Sequence, residues 1–442
     1  MKKRPASKQR SKQKSSYAPE TKLIWGKSFT RKWDYSHHLI PPISSSSTFR
    51  LTTTKRGARG FIEFAHHAGG FSVESKAPIY IYDRLGEPNK DLLEQNLVTA
   101  ENGGCAVTFA SGMGAISALC GILLGSGSEI IAHKMLYGCT YSLFKNWLPR
   151  YHIKVTWVDF NDHEALDKAI SPETRLLYFE TPVNPTMELI DIKKIAEIAK
   201  HHNRGRAKAT RVFTAVDNTF ATPFCQRPIE LGMDFAVESL TKGILGFGTD
   251  MGGVVVGPSW SYDHLLMYRK DFGGVLGAKS AWPMLVYGLP SLAVRFTHQM
   301  KTTQQIAEFL KQDKRLSLVS YPGLSSFPQR ALARRQMKDY DGGFAPGVLL
   351  YFIPKGATAV ERHRKADRMV NYIAQKSYTM TLAVSLGNIR TLIEHPGSMT
   401  HAAIPPDEQL KRGIDPGGVR LSIGLEKAED IIRDLEKGLA AM

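Results

Sequence analysis

Residues 235–243 read FAVESLTKG, an apolar run followed by two hydroxyl side chains, a lysine and a glycine. The run at 235–237 predicts a short buried strand, and Lys242 comes soon after its end. A glycine-rich stretch follows at residues 246–253. Most lone lysines are solvated surface charges, but a lysine among hydroxyls and glycines at a strand end is typical of a Schiff-base lysine beside a phosphate. Burial there lowers the pKa of the lysine and frees its amine as a nucleophile. The pattern predicts a pyridoxal phosphate (PLP) site, with a surface lysine as the alternative.

The length and composition are those of a globular protein with room for two or three domains. The chain has 442 residues, of which 43% are apolar and 22% are charged. No uninterrupted run of about 18 apolar residues is present, so we expect no membrane span. The N-terminus lacks the apolar core of a secretory signal. The cysteines, Cys105, Cys120, Cys139 and Cys225, form no CxxC pair, which indicates a reducing cytoplasm and argues against a structural zinc site. We predict a cytoplasmic protein without a bound metal.

The net charge of +17 is concentrated in part at the N-terminus. Seven lysine and arginine residues and no acidic residue lie within residues 1–14, and removing them leaves a charge of +10. We interpret residues 1–35 as a basic, disordered tail, because this segment has little apolar surface to bury. A solubilising role is the ordinary interpretation. Non-specific contact with nucleic acid or anionic lipid is the alternative.

Short apolar runs alternate with helical patterns between about residues 105 and 257. Seven of these runs are strand candidates: 106–109, 129–132, 155–158, 176–179, 212–216, 235–237 and 253–256. Strands that alternate with helices form βαβ units, which build a mainly parallel sheet with helices on both faces. Ligands of such a sheet bind at the carboxyl ends of its strands. We therefore predict an α/β fold with a mostly parallel seven-stranded sheet between helices and a site at that edge.

Three segments follow the tail in the predicted organisation. Residues 36–86 are polar and irregular, and we expect them to form an arm rather than a domain. Residues 87–290 contain the strand candidates and are assigned to the cofactor-binding domain. Residues 291–442 combine helical patterns with strands such as 348–352, so we expect a smaller C-terminal α/β domain that closes over the first.

Candidate site residues follow the predicted strands. Ser111 and Gly112 open a helix, where free backbone N–H groups attract a phosphate, although a simple helix cap is the alternative. Asp217 ends a strand and could keep a pyridine nitrogen protonated, or could merely cap the next element. Asn184 lies in a proline-rich turn that suits a fixed hydrogen bond, and Tyr137 could stack on a cofactor ring or exchange a proton. A structural turn and a core tyrosine are the alternatives.

In combination, these residues resemble the family of PLP-dependent enzymes of cysteine and methionine metabolism. The resemblance covers about residue 36 to the C-terminus, and its motifs are residues 82–84 (YDR), 111–113 (SGM), 136–141 (LYGCTY), 180–185 (ETPVNP), 216–219 (VDNT), 239–242 (SLTK), 394–401 (EHPGSMTH) and 418–424 (GVRLSIG). The family includes cystathionine lyases and synthases, O-acetylhomoserine sulfhydrylases and methionine γ-lyases. The resemblance implies a fold-type I PLP-dependent transferase-like fold and a homotetramer of two active dimers.

The resemblance also implies a role for each matched residue. Lys242 would bind PLP covalently, Asp217 would pair with its pyridinium, and Tyr137 would stack on its ring. Further cofactor contacts would come from Gly112, Met113, Glu180, Asn184, Ser239 and Thr241, while Tyr82 and Arg84 of the arm would reach the phosphate of the neighbouring subunit. Arg420 would bind the substrate carboxylate bidentately, as guanidinium geometry favours. The other substrate contacts would come from Ser385, Asn184 and Thr400.

Three features resemble the methionine γ-lyases more than the other branches of the family. Cys139 stands where most relatives carry glycine, and Lys270-Asp271 form a pair in a later loop. Val384 stands where cystathionine γ-enzymes usually carry glutamate. We expect Cys139 and the Lys270-Asp271 pair to lie at the substrate side-chain end of the pocket, beside Tyr137.

We therefore predict a PLP-dependent carbon–sulfur lyase that converts L-methionine to methanethiol, 2-oxobutanoate and ammonia by α,γ-elimination. The alternatives within the family are a cystathionine γ- or β-lyase, a cystathionine γ-synthase and an O-acetylhomoserine sulfhydrylase. Two rival classes are a nucleic-acid-binding protein that acts through the basic tail and a pseudoenzyme that binds PLP structurally. Only residues 243–250 (GILGFGTD) favour the pseudoenzyme, because they lack the aromatic residue and the histidine that usually follow the lysine.

Overall fold

The computed structural model describes residues 17–25, 38–65, 79–399, 410 and 413–442. The α-helices are α1 (Pro19–Trp25), α2 (Thr54–Ala65), α3 (Pro88–Glu101), α4 (Gly112–Leu123), α5 (Gly138–Ser142), α6 (His163–Ala169), α7 (Ile192–His202), α8 (Thr222–Cys225), α9 (Ser261–Phe272), α10 (Ala278–Pro283), α11 (Leu289–Gln312), α12 (Arg330–Gln336), α13 (Ala359–Lys376) and α14 (Ala428–Ala440). The strands are β1 (Cys105–Phe109), β2 (Glu129–His133), β3 (Lys154–Val158), β4 (Thr174–Glu180), β5 (Phe213–Asp217), β6 (Phe235–Ser239), β7 (Gly253–Gly257), β8 (Leu316–Ser320), β9 (Leu349–Pro354), β10 (Met380–Leu382), β11 (Thr391–Glu394) and β12 (Val419–Ser422).

The first seven strands form one sheet in the order β1-β7-β6-β5-β4-β2-β3. The pairs among β2 to β6 are parallel, whereas β7 runs antiparallel to both of its neighbours, β1 and β6. β1, β2 and β7 are buried along their whole length, because helices cover both faces of the sheet. The prediction of a mostly parallel seven-stranded sheet between helices is confirmed.

The carboxyl ends of the central strands meet at one edge of this sheet. Glu180 is the last residue of β4 and pairs in register with Asp217, the last residue of β5. β6 lies next to β5 in parallel and ends at Ser239, so Lys242 follows at the same edge. Parallel pairing alone thus brings these three strand ends together.

A smaller sheet forms in the C-terminal part of the chain, in the order β10-β11-β12-β9-β8. One face of it packs on helices α11, α13 and α14, and the core between them includes Ile306, Phe352, Ile373, Leu421 and Ile431. β11 and β12 are antiparallel, and their register places Glu394 opposite Arg420. α11 is 24 residues long and begins close to the predicted domain boundary at residue 290. The prediction that the C-terminal part of the chain forms a smaller unit of α/β class is confirmed.

The N-terminal segments differ from the prediction in part. Residues 19–25, which we assigned to a disordered tail, form α1, and Leu23 is buried with 2% exposure. α1 contacts α3 and α11, so this stretch has an apolar partner that its sequence did not reveal. The rest of the predicted tail, residues 1–16 and 26–35, lies outside the described residues. No helix in the described part of the chain is long and apolar enough to cross a membrane.

Candidate active site

A cavity of about 250 Å³ opens at the carboxyl edge of the large sheet, between that sheet and the loops of the C-terminal domain. It is lined by residues from the predicted motifs, among them Gly112, Met113, Tyr137, Glu180, Asn184, Asp217, Ser239, Thr241, Lys242, Ser385 and Arg420. Segments more than 300 residues apart in the chain therefore converge on one pocket, from Gly112 to Arg420.

The N-terminus of α4 forms one end of the pocket. The Ser111 hydroxyl caps the helix by accepting a hydrogen bond from the N–H of Gly114 at 3.1 Å. A Cβ atom at Gly112 would lie 3.0 Å from the Cβ of Ser239, and one at Gly253 would lie 2.2 Å from the carbonyl oxygen of Ser111. Glycine at both positions therefore lets the helix turn, β6 and β7 approach closely. The unpaired N–H groups of the first helical turn and the Ser239 hydroxyl form a cradle that suits a phosphate.

Asp217 lies at the floor of the pocket. Its carboxylate accepts the N–H of Thr219 at 3.1 Å and the hydroxyl of Tyr178 at 3.4 Å. Burial raises the pKa of Asp217 above its usual value, and the interactions that oppose this rise come from Thr219 and Tyr178 rather than from a cation. A carboxylate in such a site favours a positively charged hydrogen-bond donor, such as a protonated ring nitrogen.

Glu180 organises the turn that carries Asn184. Its two carboxyl oxygens accept the backbone N–H groups of Asn184 and Tyr137, each at 3.0 Å. Burial and the neighbouring Asp217 raise the pKa of Glu180 to about 8. The peptide bonds before Pro182 and Pro185 are both cis. The turn thus presents the Asn184 side chain to the pocket, while Glu180 ties two walls of the pocket together.

Lys242 reaches across the pocket to the C-terminal domain. Its Nζ donates to the hydroxyl of Ser385 at 2.9 Å. Burial, together with the nearby guanidinium of Arg420, lowers the pKa of Lys242. A lysine with a lowered pKa holds more of its amine in the neutral, nucleophilic form.

Arg420 is almost fully buried, with 2% exposure, and is held by three acceptors. It donates to Oδ1 of Asn184 at 2.7 Å, to the carbonyl oxygen of Ser385 at 3.0 Å and to the carboxylate of Glu394. Of its five N–H groups, the Nε–H and one N–H on Nη1 are not engaged by these acceptors. The ring of Phe220 lies beneath it, with its centroid 5.6 Å from Cζ.

Tyr137 lines the pocket, whereas Cys139 does not line it and contacts Tyr137 from outside. The thiol of Cys139 donates to the hydroxyl oxygen of Tyr137 at 3.4 Å. Burial raises the pKa of the Tyr137 phenol above its usual value, and the interaction with Cys139 adds to the rise. The phenol therefore keeps its proton at neutral pH and is available as a proton donor.

The loop at 243–250 that departs from the family pattern is well anchored. Arg295 of α11 donates to the carbonyl oxygens of Gly243 and Ile244, each at 3.0 Å. A Cβ atom at Gly243 would lie 2.7 Å from the ring of Phe296, and the backbone of Gly387 also approaches it closely. A side chain at position 243 would therefore clash with its neighbours, and glycine avoids the clash. The departure gives no support to an empty or collapsed site.

Four predicted residues lie in a second groove of the chain rather than in this pocket. Tyr82 and Arg84 line that groove together with Lys270 and Asp271, and its volume is about 700 Å³. The expected position of Lys270-Asp271 beside Tyr137 is therefore wrong within one chain, because the end of α9 faces the arm instead. Whether these residues reach a site in another subunit stays a prediction. Thr400 lies outside the described residues.

The sequence interpretation missed the role of Glu394. Its side chain is 1% exposed and pairs with Arg420 across the β11–β12 ladder. The available signal was a carboxylate that ends an apolar strand and precedes the His395-Pro396 turn. No local pattern indicates that these two residues, 26 positions apart, lie in register.

The pocket fits PLP by its donor and acceptor set. The N-terminus of α4 suits the phosphate of PLP. Asp217, a carboxylate without a described counter-cation, suits the ring nitrogen, and the buried Lys242 suits the aldehyde. Tyr137 lines the same pocket.

Comparison with known proteins gives the same answer. The family described as Cys/Met metabolism PLP-dependent enzyme matches residues 20–440. L-methionine gamma-lyase of Pseudomonas deceptionensis is 38% identical over 405 residues, which cover 91% of this chain and 93% of that protein. Cystathionine beta-lyase of Coxiella burnetii is 36% identical over 362 residues, which cover 81% and 87% of the two proteins. A crystal structure of cystathionine gamma-lyase from Lactobacillus plantarum complexed with L-serine has a TM-score of 0.82 and 29% identity, and covers 96% of this chain and 99% of that chain. The chain therefore belongs to the Cys/Met metabolism family of PLP-dependent enzymes and is a PLP-dependent lyase.

Proposed function

We propose that this lyase cleaves the carbon–sulfur bond of L-methionine and releases methanethiol, 2-oxobutanoate and ammonia. The observation that carries the proposal is the contact between the Cys139 thiol and the Tyr137 hydroxyl at 3.4 Å. It places a soft, weakly polar group beside the phenol that would protonate the departing sulfur. A thioether offers few hydrogen-bonding handles, so its selection has to depend on shape and on how that phenol is held.

The composition of the pocket supports a substrate with an apolar end. Val384, Met251 and Phe220 line the cavity, and Val384 is 58% exposed towards its opening. Cystathionine would bring a second ammonium group, which needs an acidic partner. Within the described part of one chain, three carboxylates line the pocket. Glu180 and Asp217 accept hydrogen bonds from the protein, and Glu238 accepts one from Asn218 through Oε1.

The substrate would be oriented from its carboxylate. An N–H group of Arg420 that these acceptors do not use would bind this carboxylate in a charge-assisted hydrogen bond. The Arg420 fork is held in place by Asn184 at 2.7 Å and by Ser385 at 3.0 Å. The α-carbon would then face the Nζ of Lys242, which donates a hydrogen bond to Ser385.

Proton transfer would be divided between two side chains. When bound, PLP supplies an electron sink that stabilises negative charge at the carbons next to the amino group. Lys242, with its lowered pKa, would remove protons from the α- and β-carbons. Tyr137, with its raised pKa, would donate its proton to the sulfur as the carbon–sulfur bond breaks. Addition of water to the remaining imine then releases the oxo acid and ammonia.

We also propose that the groove formed by Tyr82, Arg84 and the Lys270-Asp271 pair completes the site of a neighbouring subunit. The guanidinium of Arg84 lies 5.6 Å from the Tyr82 ring centroid, so the two side chains form one cationic and aromatic unit. A charge-assisted contact from Arg84 to a phosphate would be strong and selective in geometry. This arrangement requires an active dimer, and we propose a homotetramer of two such dimers.

Product analysis of the purified protein tests the proposal. Methionine, cystathionine, homocysteine and O-acetylhomoserine with sulfide should be supplied separately, and methanethiol, 2-oxobutanoate and replacement products measured. We expect the highest kcat/KM for methionine, with methanethiol and 2-oxobutanoate in equal amounts. Much faster turnover of cystathionine would favour a cystathionine lyase, and formation of homocysteine from O-acetylhomoserine would favour a sulfhydrylase.

A further inference from the structure

Two buried glutamates lie behind the strand edge that carries Asp217. Glu101 ends α3 and Glu238 lies on β6 directly before Ser239, and both have 0% exposure. The side-chain nitrogen of Asn218 lies within donor distance of Oε1 of Glu101 at 2.7 Å, the carbonyl oxygen of Gln226 at 2.9 Å and Oε1 of Glu238 at 3.1 Å. The two carboxyl groups, called the carboxyl pair below, are therefore neighbours joined through one amide nitrogen.

The second oxygen of each glutamate is buried and has no hydrogen-bond partner among the described residues. Two carboxylates this close would repel each other strongly away from water, and each unsatisfied oxygen would carry a desolvation penalty. One proton shared by the two Oε2 atoms removes both problems, because it makes a hydrogen bond and leaves a single negative charge. In agreement, burial raises the pKa of Glu101 to about 7 and that of Glu238 well above its usual value, the latter with a contribution from Glu101.

The charged and titratable groups that face the carboxyl pair come from three neighbouring segments. Asp217 of β5 faces Glu238 and disfavours a second negative charge there. Arg227, after α8, favours ionisation of Glu101, but it also pairs with Glu230 at 2.9 Å. Tyr340 lies near both glutamates with a phenol pKa raised well above its usual value, so it stays neutral. These surroundings favour a pair that carries one negative charge.

Asn218 connects the carboxyl pair to the cofactor edge. Its backbone N–H donates to the carbonyl oxygen of Val237 at 2.8 Å, and its Oδ1 accepts from Gln226 at 3.0 Å. The residue directly before it is Asp217, whose carboxylate points into the pocket. A shift of the Asn218 side chain would therefore be transmitted to Asp217 through a single peptide bond.

We propose that Glu101 and Glu238 share one proton and act together as positioning residues, holding Asn218 and through it the orientation of Asp217 toward the cofactor ring. Loss of the shared proton in alkaline solution places two negative charges side by side and drives the carboxylates apart, which displaces Asn218 between them, so cofactor affinity falls. Only the last step of this inference rests on the proposed role of Asp217. The shared proton is independent of that role.

The first test detects the proton directly. Infrared spectra of the holoenzyme at pH 7 should show a carbonyl band of the protonated carboxyl pair, in addition to the band of other protonated carboxyl groups such as Glu180. Glu238→Gln and Glu101→Gln should each remove the band of the pair, because the new amide donates the same hydrogen bond without titrating. Glu230→Gln is the matched control, since this nearby glutamate is outside the pair, and the band should persist. A band of the pair that persists in both pair variants, or that is absent from wild type, would overturn the shared proton.

The second test follows the dissociation constant of PLP in wild type and Glu238→Gln between pH 7 and pH 10. Above the ionisation of the carboxyl pair, wild-type affinity should fall by up to about tenfold per pH unit relative to the variant, because binding is linked to one proton. Titrations of Lys242 and of the cofactor occur in both proteins and cancel in the ratio. A ratio that does not change with pH, while the infrared band is present, would overturn the link to Asp217. In that case the PLP affinity of Asp217→Asn identifies the cause. If this affinity equals that of wild type, the proposed role of Asp217 is wrong.

Discussion

Replacing Arg420 by lysine tests the substrate end of the pocket most directly. Three N–H groups of Arg420 are engaged by the protein, at 2.7 Å to Asn184, at 3.0 Å to the Ser385 carbonyl and to Glu394. The Nε–H and one N–H on Nη1 remain, and one of them can make a charge-assisted hydrogen bond to a substrate carboxylate. A lysine ammonium has three N–H groups on one nitrogen, so it cannot satisfy the protein acceptors and a substrate carboxylate together.

The size of the expected effect follows from this count. Arg420→Lys should lose about one charge-assisted hydrogen bond to the substrate, which contributes about 1.5–3 kcal/mol. The value of kcat/KM should therefore fall by about 10- to 200-fold. Because the carboxylate is bound alike in the ground state and the transition state, most of the loss should be a rise in KM.

The assay compares L-methionine with L-methioninamide, which lacks the carboxylate. Wild type should prefer the acid strongly, and Arg420→Lys should reduce that preference by the same factor as its loss in kcat/KM. Arg362→Lys is the control, because Arg362 pairs with Asp415 at 2.7 Å and does not line the pocket. Equal losses for the acid and the amide in Arg420→Lys would refute the reasoning, since the residue would then support the fold instead of binding the carboxylate.

Three further predictions concern substrate choice, the shared site and acid stability. Cys139→Gly should lower kcat/KM for methionine more than about tenfold, about 1.4 kcal/mol, and that for cystathionine less, because the thiol positions the Tyr137 phenol; equal losses on all substrates would argue against a methionine-selective site. Mixing Arg84→Ala chains with Lys242→Ala chains should restore activity, because one composite site of the mixed dimer keeps both residues; an inactive, verified heterodimer would place Arg84 outside the partner's site. Burial opposes ionisation of Glu129, but hydrogen bonds from a lysine and three hydroxyl groups lower its pKa to about 2. Its stabilising effect is therefore present above about pH 4.5 and lost as the pH falls towards 2. Calorimetry should show that Glu129→Gln unfolds at a lower temperature than wild type at pH 7 and at nearly the same temperature near pH 2. A difference in unfolding temperature that does not change with pH would contradict the assignment to Glu129 ionisation.

Much of the large domain was predictable because its signals are local. A run such as 212–216 is apolar, short and β-branched, and it can be buried only as a strand, which the structure has at Phe213–Asp217. Parallel strands then present their carboxyl ends at one edge whatever the loops between them do. For this reason the sequence alone assigns Asp217 and Lys242 to one site.

Other features depend on contacts that no local pattern contains. α1 is only seven residues long; it contacts α3 and α11, and its Leu23 is buried. The Lys270-Asp271 pair was expected beside Tyr137, but the direction of α9 turns it towards the groove of Arg84. Sequence spacing carries no information about such directions.

The sequence by itself determined the residue types that the chemistry needs and the strand ends on which they stand, because burial and strand periodicity act over a few residues. Only the tertiary structure decided which charges meet: Arg420 with Glu394 across a ladder, and Glu101 with Glu238 through Asn218. The physical reason is that the ionisation of a buried group depends on the distance to partners far away in the chain, and folding alone sets those distances.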